Sequence, residues 1–123
     1  MPFSHVATFD VLRTLANGSI SANYAKVGSI FAHPVRAIRL VNATDGDMFF
    51  TINGGSTPAS DGSTDMFFVP AGSFVLWDVS SDQANQTNSP AFEIAKGSQI
   101  WVRQSSAPTT KSVFAECLFA VGE

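Results

Sequence analysis

The chain has 123 residues, of which 45% are hydrophobic and only 14% are Asp, Glu, Lys or Arg, against about 25% charged residues in a typical soluble domain. This length suits a single domain, and a chain of this size can bury a core without disulfides or metal ions. The net charge of −3 and the scattered basic residues argue against nucleic-acid binding, which requires a basic surface to displace counterions from phosphates.

The N-terminal third predicts β-strands. Residues 8–15 alternate with a period of two, and one face of this strand is expected to carry the mostly apolar set Phe9, Val11, Arg13 and Leu15. Asn17-Gly18 marks a turn, and a weaker second strand is predicted within residues 19–27. A firmer strand is predicted over residues 31–42, because the residue before Pro34 is disfavoured in the α region and residues 35–42 carry aliphatic side chains on both faces, as in a central strand of a sandwich.

A hairpin with a long tip is predicted between residues 48 and 69. The strand 48–52 ends at Asn53-Gly54-Gly55, which is a strong tight-turn signal, and the strand pattern resumes at 66–69 after the polar loop 56–65. Further strands are predicted at 74–79, 92–95, 99–104 and 113–121, with a turn at 96–98 and polar loops at 80–90 and 105–110.

These seven or eight short strands, spaced by turn signals every eight to twelve residues, indicate an all-β fold. No stretch shows a sustained apolar period of 3.6 residues. We expect one domain over residues 1–123, an antiparallel β-sandwich that is jelly-roll-like. An immunoglobulin-like sandwich is the alternative, and strand order distinguishes the two.

The chain carries no recognisable catalytic motif, and the sequence predicts neither an enzyme nor a cofactor. Its two histidines, His5 and His33, lie far apart, and Cys117 is the single cysteine. No metal site is therefore expected, and Cys117 is interpreted as a small buried hydrophobe. The carboxylate pairs Asp45/Asp47 and Asp61/Asp65 could contribute to a cation site, but Asp and Gly are also the ordinary residues of tight turns, which is the favoured interpretation.

The N-terminus has neither the basic start nor the apolar stretch of a signal peptide, so the chain is expected to be made in a cytoplasm and to stay soluble there. No run of residues is long and apolar enough for a membrane span. Asn-x-Ser/Thr triplets occur at Asn17, Asn42 and Asn85, and without a secretion signal they are interpreted as chance.

The aromatic residues suggest a surface for another subunit. Adjacent residues of a strand face opposite sides, so one member of Phe49-Phe50 and one of Phe67-Phe68 should point outward. Aromatic residues and Met are enriched in interface cores. The candidate subunit interface is Met48, Phe49, Phe50, Met66, Phe67 and Phe68.

A binding module is the alternative function. In that case loops 56–65 and 80–90, together with Trp77 or Trp101, would recognise a host sugar or protein. The candidate recognition residues are Ser60, Asp61, Asp65, Gln83 and Asn85.

A series of strand and turn motifs runs through residues 35–120. It consists of the aliphatic strand 35–41 followed by Asn42-Ala43-Thr44-Asp45, then Asn53-Gly54-Gly55, Val69-Pro70-Ala71-Gly72 and Gly97-Ser98-Gln99-Ile100-Trp101-Val102. In these motifs and their order the segment resembles small virion structural proteins of tailed bacteriophages. The resemblance implies a non-enzymatic virion component that forms homo-oligomers and packs on other virion proteins. Such a component is a capsid decoration (cement) subunit, or a ring at the head–tail junction or in the tail, and it passes from the host cytoplasm into the virion.

Overall fold

The computed structural model describes residues 6–54, 56–59, 66–78 and 94–121. A short 3-10 turn covers Asn17–Ser19, and every strand pairing is antiparallel. The strands are β1 (Val6–Phe9), β2 (Arg13–Ala16), β3 (Ala25–Lys26), β4 (Ala37–Asn42), β5 (Met48–Asn53), β6 (Phe67–Val69), β7 (Phe74–Asp78), β8 (Gln99–Gln104) and β9 (Ser112–Val121). Within these residues no helix is long and apolar enough to cross a membrane.

The strands form two sheets with the connectivity of a jelly roll. In the first sheet, β1 and β2 lie along the two halves of β9, followed by β4 and β7; in the second sheet the order is β3, β8, β5, β6. Because β1 and β2 act as one interrupted strand, each sheet has four rows of strands. The predicted all-β antiparallel sandwich is confirmed, and the strand order is that of the jelly roll.

The interruption between β1 and β2 is a β-bulge. Phe9 pairs with Leu118 and Arg13 pairs with Ala115, so three residues of one strand lie opposite two residues of β9. An extra residue of this kind shifts the alternation by one position. Phe9 therefore points away from the core and Arg13 points into it. The prediction that these two side chains share a face was wrong.

The core lies between the two sheets. Strands β4 and β9 contribute alternate residues to it, and β5 and β8 contribute the facing layer. The loop 27–35 adds Val27, Phe31 and Val35, each at most 1% exposed. The core cluster is Ile20, Val27, Phe31, Val35, Ile38, Leu40, Met48, Phe50, Val69, Ile100, Val102, Val113, Ala115 and Cys117.

Several predicted elements are confirmed, and three are shorter than expected. The strand predicted over residues 31–42 begins only at Ala37. Strand β8 has the predicted bounds, and β5 pairs with β6 as the predicted hairpin. The weak strand within 19–27 is reduced to the two residues of β3. The strand expected at 92–95 is represented, among the described residues, by a single bridge between Ile94 and Val35.

Candidate protein interface

One face of the first sheet is covered by the second sheet, and the other faces solvent. In β4, Ile38 and Leu40 point inward, so Arg39 and Val41 point outward. In β7 the half-buried Val75 and Trp77 pack on the core. We call the solvent side the outer face, and its residues are Phe9, Leu12, Ala37, Arg39, Val41, Phe74, Leu76, Phe114, Glu116 and Leu118.

The outer face is apolar at both of its edges. At one edge Phe9 is 82% exposed and Leu12 is 53% exposed; at the other edge Phe74 is 59% and Leu76 is 60% exposed. Single exposed apolar residues are common, but a contiguous set on one sheet is typical of an interaction surface. One depression of about 310 Å³ connects the two edges, because Phe9 and Leu76 both line it together with Arg39 and Glu116.

A charged pair lies in the middle of the outer face. Arg39 and Glu116 are direct register partners on β4 and β9. Arg39 Nη2 lies 2.5 Å from Glu116 Oε1, and the two side chains are 43% and 45% exposed. The Arg39 guanidinium also lies 5.5 Å from the centre of the Phe74 ring. The charges are therefore flanked by apolar side chains.

The interface predicted from the aromatic pairs is partly internal. Phe50 points into the core, where it is 1% exposed, and Met48 on the same face is fully buried. Neither residue can contact another subunit in this fold. Phe68 points outward from the second sheet and is 45% exposed, while the half-buried Phe49 lies beside it with 5.4 Å between ring centres. The expected alternation within Phe49-Phe50 is confirmed.

The other two candidates of that set lie at the open edge between the sheets. Phe67 is on the inward side of β6 but remains 38% exposed, and its ring meets Trp77 edge-on at 4.9 Å. The Sδ atom of the half-buried Met66 accepts a hydrogen bond from Arg103 Nη2 at 3.5 Å. Both residues line a depression of about 270 Å³ with Leu40 and Ile52.

On the outer side of the second sheet, several side chains pack against one another. The Arg103 guanidinium lies 4.5 Å from the centre of the Phe49 ring and 5.6 Å from that of Tyr24. Trp101 is only 3% exposed, and its Nε1 donates to Asn53 Oδ1 at 2.7 Å. Trp101 is thus a structural residue and presents no ring on which a sugar could stack.

The carboxylate pair Asp45/Asp47 holds loops together. Asp45 accepts from the Thr109 hydroxyl, from the Thr109 N–H at 2.7 Å and from the Thr110 N–H at 3.3 Å. These hydrogen bonds lower the pKa of Asp45. Asp47 Oδ1 accepts from the Ala71 N–H at 2.9 Å. The favoured turn interpretation fits these hydrogen bonds. Across the described ranges no cluster of three potential metal ligands occurs.

The candidate recognition residues lie outside the described residues, as does His5; they are Ser60, Asp61, Asp65, Gln83 and Asn85.

Packing or hydrogen bonding within the domain accounts for three further residues, namely Asn42, Cys117 and His33. Asn42 is fully buried with its amide hydrogen-bonded, so it cannot accept a glycan in the folded chain. Burial raises the pKa of the Cys117 thiol to about 11. The His33 ring stacks on Phe119 with 4.2 Å between centres.

The outer face was not among the predicted surfaces, although strand β7 carries a signal for it. Phe74-Val75-Leu76-Trp77 has a large apolar residue at every position. In a two-layer sandwich the domain itself covers only one face of each sheet. A strand with two apolar faces therefore indicates a second covered surface, and Phe74 and Leu76 supply it.

No protein-family model matches the chain, and no match is found among curated proteins or solved structures.

Proposed function

We propose that the chain is a non-enzymatic structural protein of a tailed-phage virion, which acts by packing its outer face against protein. Its place is that of a capsid decoration subunit, or of a ring component at the head–tail junction or in the tail. It folds in the host cytoplasm before it joins the particle. The observation that carries the proposal is the outer face of the first sheet, whose exposed apolar edges flank the Arg39–Glu116 pair.

The free energy available from this face supports assembly. Burying a large apolar side chain contributes on the order of 2 kcal/mol. Phe9, Phe74 and Leu76 each leave more than half of their surface in water, so covering them supplies a substantial driving force. The low charge content, 14% of residues, also reduces electrostatic repulsion between neighbouring subunits.

The virion setting is supported by two further arguments. The first is the resemblance of residues 35–120 to virion structural proteins of tailed bacteriophages, which is carried by strand and turn motifs. The second is the jelly roll itself, which is common in viral capsids. The second argument is an analogy at the level of the fold, and the same fold serves unrelated functions elsewhere.

Mass spectrometry of purified particles tests the proposal. We expect the chain in the particles at a fixed copy number, and its absence from them overturns the virion assignment. We also expect Leu76→Asp to remove the chain from particles, because it places a charge in the apolar face. Phe68→Asp is the matched control, since Phe68 is a comparably exposed strand residue of the second sheet. If only Phe68→Asp prevents incorporation, the contact surface is the outer side of the second sheet.

A further inference from the structure

The charge pattern of the outer face identifies its occupant. We infer that the outer face binds a second copy of this chain, and that the two copies are related by a two-fold axis running along the seam between β4 and β9. The inference deepens the proposed function, because it names the partner of the same face, and it rests on that face being a contact surface.

One row of side chains across the sheet has a symmetric pattern. Glu116 on β9 lies opposite Arg39 on β4, and Arg39 lies opposite Leu76 on β7. On the other side of Glu116, the row continues to Leu12. Leu12 precedes Arg13, which pairs with Ala115, so Leu12 lies beside Glu116. Both residues line a depression of about 280 Å³. The row therefore runs Leu12, Glu116, Arg39, Leu76, with an apolar residue at each end and opposite charges at its centre.

A two-fold axis along the seam makes this row complementary to itself. Two sheets that pack face to face keep their strands nearly aligned, at about 10 Å separation. Rotation about an axis between β4 and β9 exchanges the two sides of the row. Arg39 of each copy then faces Glu116 of the other copy. The four charged groups form a network with alternating sign.

A two-fold axis that lies in the plane of the interface but runs across the strands would bring like charges together. If the axis ran across the strands through this row, each residue would face its own equivalent. Arg39 would then lie over Arg39, and Glu116 over Glu116. Like charges brought together in an interface are strongly unfavourable. The position of the charged pair thus selects the axis that runs along the strands.

The same rotation brings the apolar edges together. Strand β7 and the interrupted strand β1–β2 are the two edges of the first sheet, and the rotation places each over the other. Leu76 then meets Leu12 of the second copy. In the two neighbouring rows, Phe74 lies over the position of Thr14 of the second copy, and Phe9 lies over that of Asp78. The four exposed apolar side chains of the outer face all lie within the contact.

The area of the face is adequate for a stable dimer. Phe9, Leu12, Phe74 and Leu76 are 82%, 53%, 59% and 60% exposed, which leaves roughly 500 Å² in water if a large apolar side chain has on the order of 200 Å². The partly exposed Arg39 and Glu116 add to this. The total approaches the roughly 800 Å² per partner of a standard specific interface. A closed two-fold pair is also the commonest form of homo-oligomer.

Charge reversal tests the contact. Sedimentation equilibrium of the full chain should show a dimer. Arg39→Glu leaves two negative charges at the centre of the face, and Glu116→Arg leaves two positive charges. Each substitution should raise the dimer dissociation constant by about 100-fold or more. An equimolar mixture of these two chains should recover dimers that contain one copy of each, and the double variant R39E/E116R should dimerise like the original chain. A monomeric original chain, or a mixture that stays monomeric, overturns the inference.

Cross-linking tests the axis. Chains with Leu12→Cys and chains with Leu76→Cys are mixed and treated with a short bismaleimide that spans about 10 Å, the separation of packed sheets. We expect the mixed product to exceed both single-chain products. A product that joins Leu12→Cys to itself supports the rejected axis and overturns ours. Cys117 is buried, so the original chain serves as the unreactive control, and equal thermal midpoints establish that every variant is folded.

The two proposals fail separately. A chain that dimerises as described but is absent from particles overturns the virion function and leaves the dimer intact. A chain that enters particles, remains monomeric at high concentration and loses incorporation on Leu76→Asp overturns the dimer, because another virion protein then occupies the outer face.

Discussion

Gly28 lies directly against the aliphatic part of Arg13. A β carbon at position 28 would lie 2.5 Å from Arg13 Cγ and 2.7 Å from its Cβ. Arg13 is 2% exposed; its guanidinium donates to three backbone carbonyls and lies 3.2 Å from Asp10 Oδ2. The loop after β3 thus encloses the arginine that the bulge turns inward.

Gly28→Ala should lower the free energy of unfolding by about 3 kcal/mol or more. The φ of Gly28 is +71°, which costs a side-chain-bearing residue about 1–2 kcal/mol, and the steric overlap with Arg13 adds a comparable amount. Gly72→Ala is the control, because Gly72 has a φ of +74° and no heavy atom within 4 Å of the added carbon. Urea unfolding measures both, and equal losses would show that Arg13 moves aside freely.

Asn42→Ala should destabilise the fold by about 2–4 kcal/mol, because it leaves buried backbone groups without partners. The Asn42 amide donates to the carbonyls of Gly46 and Val69 at 2.8 and 2.9 Å, and its oxygen accepts twice from Thr44. Asn17→Ala removes one amide hydrogen bond, to Lys111, at the surface and should cost less than about 1 kcal/mol. Thermal or urea unfolding that ranks the two equally contradicts this assignment.

Asp45 should make stability depend on acid pH. Its folded-state pKa lies below the ordinary value of 3.8 because Thr109 and Thr110 donate hydrogen bonds to the carboxylate. The stabilisation is therefore fully present above 3.8 and is lost as the pH falls through the lower, folded-state pKa. Asp45→Asn should be less stable than the original chain at neutral pH, and the difference should shrink below pH 3.8. Urea midpoints of the two chains measured across this range check the sign; a difference independent of pH excludes the carboxylate as its source.

The paired phenylalanines should respond unequally to Ser. Phe50→Ser should cost roughly 3–5 kcal/mol, because it empties a core position that is 1% exposed. Phe68→Ser should cost less than about 1 kcal/mol, since Phe68 is 45% exposed on the outer side of the second sheet. Melting temperatures compare the two, and sedimentation of Phe68→Ser shows whether this side also takes part in self-association.

The sequence was most informative where strand-forming residues adjoin turn residues. Residues 99–104 carry the apolar run Ile100-Trp101-Val102 after a turn signal and form a strand, and the strand that precedes Asn53-Gly54 ends at Asn53. That one member of Phe49-Phe50 points inward also follows from the alternation. In the segment 19–27, by contrast, Ser and Ala provide little apolar contrast, and only Ala25–Lys26 pairs.

The outer face was harder to predict, for two physical reasons. The bulge at residues 10–12 contains no Gly and no positive φ. No local sequence signal therefore shows that the side chains of Phe9 and Arg13 lie on opposite faces of the sheet. In β7 both faces are apolar, and only the pairing with β4 decides that Leu76 and not Trp77 faces solvent. The position of the bulge and the orientation of β7 both depend on pairing with strands that are distant in sequence, and the periodicity of a single strand carries no information about this pairing.

The edges of the sheets bear on what this protein can build. Among the described strands, β3 has two residues, β6 has three, and the edge formed by β1 and β2 is broken by its bulge. Short or bulged edges are poor templates for adding a further strand, and open-ended strand addition is how β-proteins form fibres. Addition of a strand at these three edges is therefore disfavoured, and β7 is the one long regular edge among the described strands. A face-to-face pair of the kind inferred above would be a closed unit, whereas strand addition at β7 would be open-ended, so the two modes of association are distinguished by whether their size has a limit.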